Sequence, residues 1–250
     1  MPIHFSACSF GYHRRKPVIS GFDGELPPGR TVFLGPNGAG KSTLLGLAAS
    51  ALLPRTGTVT YRGMNTTDRR TLAAYRRRIA WMPQQLAAVP GLTARDQVAY
   101  VGWLKGMSRR EAWEQSLRAL QRVELGDRAD DKISRLSGGQ QRRVGVAQSL
   151  VHGAEVLLLD EPTAGMDPRR RSVFHQTLGN LPPTVHVILS THDTADLETV
   201  YDNVLVLVDG RIRFQGPVGE FLAHAEPGTV PGRRADSAYH VLTERDRAWA

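Results

Sequence analysis

The residues Gly35-Pro36-Asn37-Gly38-Ala39-Gly40-Lys41-Ser42 limit what this chain can fold into more than any other stretch. They fit the pattern G-x-x-x-x-G-K-[ST] and lie between the apolar run TVFL at 31–34 and a helix-forming run at 41–49. They therefore read as a loop that leaves a strand and opens a helix. Glycines in such a loop let the backbone wrap an anion with several N–H groups turned inward. The start of the helix adds the positive end of its dipole. On this pattern Gly35, Pro36, Asn37, Gly38, Ala39, Gly40, Lys41, Ser42 and Thr43 are the phosphate-binding residues of a nucleotide site. Lys41 reaches the terminal phosphates, and the Ser42 hydroxyl is a ligand for Mg²⁺.

A loop of this kind belongs to an α/β domain, and the rest of the chain agrees. Strand-like runs fall at 3–10, 31–34, 57–61, 79–82, 156–159, 185–190, 204–208 and 211–214. Helix-like runs fall at 41–49, 93–103, 109–122, 139–151, 168–178 and 194–201. Unalternated apolar strands such as VLLLD at 156–160 suit a sheet covered on both faces. Strand and helix in alternation predict a mainly parallel sheet, with an antiparallel part at the N-terminus. The stretch from about 85 to 150 is rich in helix and poor in strand, which predicts a helical insertion. With 250 residues and 41% apolar content the chain can bury one large core. The expected organisation is one domain over 1–225, containing the helical subdomain at about 85–150, and a tail over 226–250. Pro227, Gly228, Pro231 and Gly232 precede only a short helical run, so the tail reads as loosely attached.

The single cysteine, Cys8, excludes an internal disulfide and a cysteine-based zinc site, and suits a reducing compartment. The opening residues MPIHFSACSF show no basic segment followed by an apolar run, so no secretion signal is expected. No apolar run approaches the roughly 18 residues of a membrane-spanning helix. The formal charge is +8, and lysine stands only at 16, 41, 105 and 132, so the excess is arginine. It comes in short clusters such as Arg76-Arg77-Arg78, Arg142-Arg143 and Arg169-Arg170-Arg171. A positive balance favours polyanions or an anionic membrane face. Each cluster also reads as plain solvated surface. No aromatic-basic recognition motif accompanies them, so no specific nucleic-acid partner is expected.

A phosphate loop needs a second element that holds the metal and the attacking water. Asp160 ends VLLLD at the carboxyl end of a buried strand, where ligands meet an open α/β sheet. It is placed to hold Mg²⁺ through water. Glu161 follows it, and successive strand residues point in different directions. The two carboxylates can divide the work, with Asp160 on the metal and Glu161 as the base for water. His192, just past VHVILS, could bond the γ-phosphate and orient that water, although a histidine at a strand end also serves structure. The Gln84 amide, after IAWMP, could touch Mg²⁺ or the water.

ISRLSGGQQRR at 133–143 opens a helix yet holds no acid, base or metal ligand. Taken alone, its serine is an ordinary N-cap. Taken with the phosphate loop, PQ at 83–84, LLLDEPT at 157–163, AGMDP at 164–168 and STH at 190–192, in that order, it resembles the ATP-binding subunits of ABC transporters. The resemblance covers about residues 3 to 222. It implies a P-loop NTPase core with a mainly parallel sheet, an N-terminal antiparallel part and a helical insertion, the ABC ATPase fold, over the domain at 1–225.

The resemblance also implies that two ATPase subunits meet head to tail, with each ATP held between the phosphate loop of one and the LSGGQ of the other. Ser137, Gly138, Gly139 and Gln140 then form half of a site completed by another molecule, and Asp167 contacts that other subunit. Tyr12 resembles the aromatic that stacks on adenine, with Phe10 as the competing candidate. Gln84 resembles the glutamine that links the nucleotide site to the membrane partner, with Gln85 one residue away. Met166 replaces a leucine, a change that conserves volume. Glu161, His192 and Lys41 are the catalytic residues, and Ser42, Gln84 and Asp160 the Mg²⁺ ligands. The implied role is an ATPase that drives a separate integral membrane permease, from the cytoplasmic side of the membrane. LTARDQVAYVGWLKG and TAGMDPRRR resemble the ATPases of export-type transporters. An importer ATPase, or a soluble ABC ATPase in iron–sulfur assembly or nucleic-acid processing, is the alternative. The second ATPase subunit is a copy of this chain or a close paralogue.

Overall fold

The computed structural model describes residues 1–13, 16–197 and 200–244. Along the chain the elements are β1 (Ile3–Phe10), β2 (Ile19–Leu26), β3 (Arg30–Leu34), α1 (Lys41–Ala48), β4 (Thr56–Tyr61), β5 (Met64–Asn65), α2 (Leu72–Arg78) and β6 (Ile79–Met82). They continue with α3 (Ala94–Leu104), α4 (Arg109–Arg122), α5 (Gly138–Leu150), β7 (Val156–Asp160), α6 (Pro168–Gly179) and β8 (His186–Thr191). β9 (Asn203–Val208), β10 (Arg211–Pro217), α7 (Val218–Leu222) and α8 (Arg234–Glu244) complete them. They fall into two compact units, one of residues 1–72 with 187–250 and one of residues 73–186.

The first unit holds two sets of strands. An antiparallel sheet runs in the order β2-β1-β4-β5, with Ile3 opposite Leu26 and Phe5 opposite Val59. Alternation along its strands buries Ile3, Phe5, Phe22, Leu26, Val59 and Tyr61 and leaves polar residues outside. In the other set β3 lies between β8 and β9, parallel to both, and β10 pairs antiparallel with β9. Val32, Phe33, Leu34, Val187, Leu189, Val204 and Val206 are buried, as parallel strands covered on both faces require. The second unit pairs β6 with β7 in parallel, Met82 opposite Leu159, and carries α3 to α6. All of Val156–Asp160 is buried. The helices start where their sequences supply caps. Thr93 and Asp96 form a capping box on α3, and the Ser108 hydroxyl accepts from the Glu111 amide at 3.2 Å on α4.

This is the mixed α/β architecture expected, with parallel central strands and an antiparallel N-terminal sheet. Three local features differ from the periodicity. β2, ISGFDGEL, escapes strand recognition because two glycines and an aspartate interrupt it; Ile19, Phe22 and Leu26 still reach the core through register shifts against β1. α2 has one buried anchor, Tyr75, and ends in three arginines, so it shows no apolar stripe. The helix read over 194–201 is a 3-10 turn at Thr194–Asp196, and residues 198 and 199 lie outside the described ones. The segment after Glu226 is more firmly held than its proline and glycine content suggests. Ala235 and Ala238 of α8 are buried, Asp236 accepts a hydrogen bond from Thr194, and the Glu226 amide donates to Ser237 Oγ at 2.9 Å. Among the described residues no helix is long and apolar enough to cross a membrane.

Candidate functional site

In the first unit the phosphate loop leaves β3 and opens α1. Gly40 is the N-cap, at φ +104°, a left-handed conformation that glycine adopts without Cβ strain. Among the described residues no side chain caps this helix start. Lys41 is 5% exposed, and its Nζ donates to Gly35 O at 2.6 Å and Pro36 O at 3.2 Å. The ammonium is thus held within the curve of the loop. Ser42 is exposed, whereas Thr43 is buried. Gly35 packs so closely on β9 that a Cβ there would sit 2.4 Å from Leu207 O. Gly35→Ala is expected to cost about 1–3 kcal/mol through this overpacking. At about 2–4 °C per kcal/mol for a chain of this size, thermal melting without nucleotide should show a clear drop in Tm.

The register of β3 on β8 places Leu34 opposite Thr191. The phosphate loop and His192, which follow these residues, therefore leave the carboxyl ends of two adjacent parallel strands. His192 is exposed. Tyr12 is 62% exposed and meets Phe10 edge to face at 5.2 Å, while Phe10 is half-buried. Of the two aromatics, Tyr12 is the one with a face open for stacking.

The second unit gathers the other candidates. Asp160 is 3% exposed at the end of β7. Glu161 follows at φ +46°, and Gln84 Nε2 donates to Glu161 Oε2 at 3.1 Å. That contact joins two residues 77 positions apart in the chain, and it uses Gln84, not Gln85. At the start of α5, Ser137 and Gln140 form a capping box: Ser137 N donates to Gln140 Oε1 at 2.9 Å, and Ser137 Oγ accepts from Gln140 N at 3.3 Å. The ordinary capping role of the serine is realised, and Ser137 and Gly138 remain exposed. A cavity of about 460 Å³ adjoins them, lined by Ser137, Gly139, Arg143, Asp167, Arg170 and Phe174 among others. Asp167 caps α6 by accepting from the Arg170 amide at 2.9 Å, and pairs with Arg170 Nε at 3.1 Å.

The Ser42 hydroxyl, the Asp160 carboxylate and the Gln84 side-chain oxygen are hard oxygen donors. Each is an oxygen of the kind that Mg²⁺ takes alongside phosphate and water, Ser42 in the first unit and Gln84 and Asp160 in the second. One further side chain has no signal in the sequence. Arg142 of α5 donates through Nη1 to Pro162 O at 2.8 Å and to Glu161 O at 3.5 Å. In the sequence it is one member of a surface-like arginine pair.

The profile of a family described as "ABC transporter" matches residues 19–164, more than half of the chain. The chain belongs to the ABC transporter family. It is 32% identical over 230 residues to the daunorubicin/doxorubicin resistance ATP-binding protein DrrA of Streptomyces peucetius, covering 91% of this chain and 69% of that one. It is 39% identical over 230 residues to the phosphonates import ATP-binding protein PhnC of Anaeromyxobacter dehalogenans (strain 2CP-C), covering 84% of this chain and 45% of that one. The bacterial ABC transporter cassette MJ0796, solved as a dimer, matches with a TM-score of 0.76 at 27% identity, covering 86% of this chain and 98% of that one. MJ0796 has also been solved in a dimeric post-hydrolysis state bound to ADP and Pi. Several curated relatives are longer: the chain spans 61%, 64% and 45% of three of them. The relatives of this ABC chain include ATP-binding proteins named for resistance and for import.

Proposed function

We propose that this ABC cassette binds and hydrolyses ATP in a head-to-tail pair with a second cassette, and drives a substrate outward through a separate membrane permease. The observation that supports this most is the start of α5. Ser137 and Gly138 are exposed beside a cleft lined by arginines, with Ser137 and Gln140 forming the capping box of the helix. That is a surface suited to a phosphate brought by another molecule.

In this reading Lys41 and the backbone N–H groups of the loop Gly35–Thr43, other than at Pro36, bind the phosphates of ATP, and Tyr12 stacks on adenine. Ser42, Gln84 and Asp160 would hold Mg²⁺, which would supply charge neutralisation on the phosphates. Glu161 takes the proton of the attacking water, Gln84 fixes the carboxylate by its hydrogen bond, and His192 orients the water or the γ-phosphate. Ser137, Gly138, Gly139 and Gln140, with Asp167, complete the partner's site. Because ATP contacts both cassettes it favours the closed pair, and hydrolysis removes that preference.

The permease would dock on the segment from Gln84 to about Met107. Tyr100 and Trp103 of α3 are exposed there and, with the exposed Trp113 of α4, line a groove of about 380 Å³. Two half-exposed tryptophans over an apolar groove favour a protein partner. Likeness to the resistance protein DrrA accords with outward transport, and likeness to the import protein PhnC keeps inward transport as the alternative. Trp103→Glu is expected to abolish co-purification of the cassette with a membrane protein from solubilised membranes, with ATP affinity unchanged. Undiminished co-purification of this variant would rule the groove out as the docking surface.

A further inference from the structure

Arg142 is the fifth residue of α5, the helix whose start carries Ser137, Gly138 and Gly139. Its guanidinium is half-buried and crosses to the backbone that follows β7, where Nη1 donates to Pro162 O at 2.8 Å and Glu161 O at 3.5 Å. Burial lowers its pKa from the ordinary value, opposed by the charge of Glu161, and an arginine so placed stays cationic. The segment it grips is strained. Glu161 stands at φ +46°, a left-handed conformation that L residues other than glycine avoid and that persists only where the surroundings hold it. Arg142 engages the carbonyl side of Glu161, and Gln84 engages its carboxylate. Both bonds come from the one nitrogen Nη1, the shorter to Pro162 O and the longer to Glu161 O, and its charge strengthens them.

We propose that Arg142 is a positioning residue for Glu161, and that through it α5 sets the placement of the base on its own chain. The inference rests on the reading of Glu161 as the base and of the α5 start as half of the partner's site. Its consequence is a mechanical link between sites. When the start of α5 settles against a nucleotide held by the partner, the same helix carries the Glu161–Pro162 carbonyls with it. One end of α5 therefore reads the partner's nucleotide, and the side chain of Arg142 reports it to the other active site.

The test uses the full chain, ATP and Mg²⁺, with steady-state hydrolysis, binding of a fluorescent ATP analogue and thermal melting. Arg142→Gln should lower kcat about tenfold to a hundredfold through misplacement of the base, with KM and analogue affinity within about twofold of wild type. Arg142→Lys keeps the charge and one donor and should recover part of the loss. The deciding comparison is the double variant. If Arg142 acts through Glu161, adding Arg142→Gln to Glu161→Gln should change the residual rate less than about twofold. An equal loss in both backgrounds, or a wild-type kcat in the single variant, overturns the assignment even when the wild type hydrolyses ATP normally. Failure of the wild type to hydrolyse ATP overturns the functional reading and this assignment with it.

Discussion

Glu161→Gln should bind ATP as tightly as the wild type while hydrolysing it about a hundredfold to ten-thousandfold more slowly, the range expected for removal of a general base. The substitution keeps size and the hydrogen bond from Gln84 can be replaced by amide pairing, so the fold should persist. What is lost is the ability to accept a proton from water. Because ATP then cannot be consumed, the closed pair should accumulate. Size-exclusion chromatography with ATP should show a dimer of the variant that ADP disperses. Turnover within about tenfold of wild type would remove Glu161 from the role of base, since a general base is worth more than that.

Ser137→Arg addresses the other half of the site. A large side chain at the exposed start of α5 should prevent a phosphate from approaching the helix, whereas the phosphate loop, a separate stretch of chain, should bind nucleotide as before. Removing one set of preorganised donors of this kind costs about a hundredfold to a thousandfold in kcat. The variant also loses the capping box, worth about 1 kcal/mol, so a small fall in Tm should accompany it. Ser137→Asp separates the two effects. Aspartate caps as well as serine, yet its charge repels a phosphate. Ser137→Asp should therefore melt like the wild type and still fail in turnover. A monomer that hydrolyses ATP at the full rate when diluted, or a Ser137→Asp variant with wild-type turnover, would defeat the shared-site reading.

The pieces of this site differ in how they could be read. The phosphate loop is contiguous, and its context of strand, glycines, lysine and helix is local, so residues 31–49 carry the whole signal. VLLLDE is likewise local: an unbroken apolar run followed by two acids. β2 and α2 were hidden for the opposite reason. β2 is a strand because β1 pairs with it, not because its residues favour strand, and α2 buries a single tyrosine. The firm seat of α8 depends on Ala235, Ala238 and the contact from Asp236 to Thr194, none of which has a local signature.

Residue types and their spacing along the chain were enough to establish the phosphate loop, the paired acids, the Ser-Gly-Gly helix start and, from their order, the family. Those features act through neighbours a few residues away, where covalent connection fixes geometry. Folding alone decided that Leu34 and Thr191 end side by side, that Gln84 bonds Glu161, and that Arg142 holds the carbonyls of Glu161 and Pro162. Each of those contacts joins elements far apart in the chain, and only the packing of strands and helices brings such partners within hydrogen-bond reach.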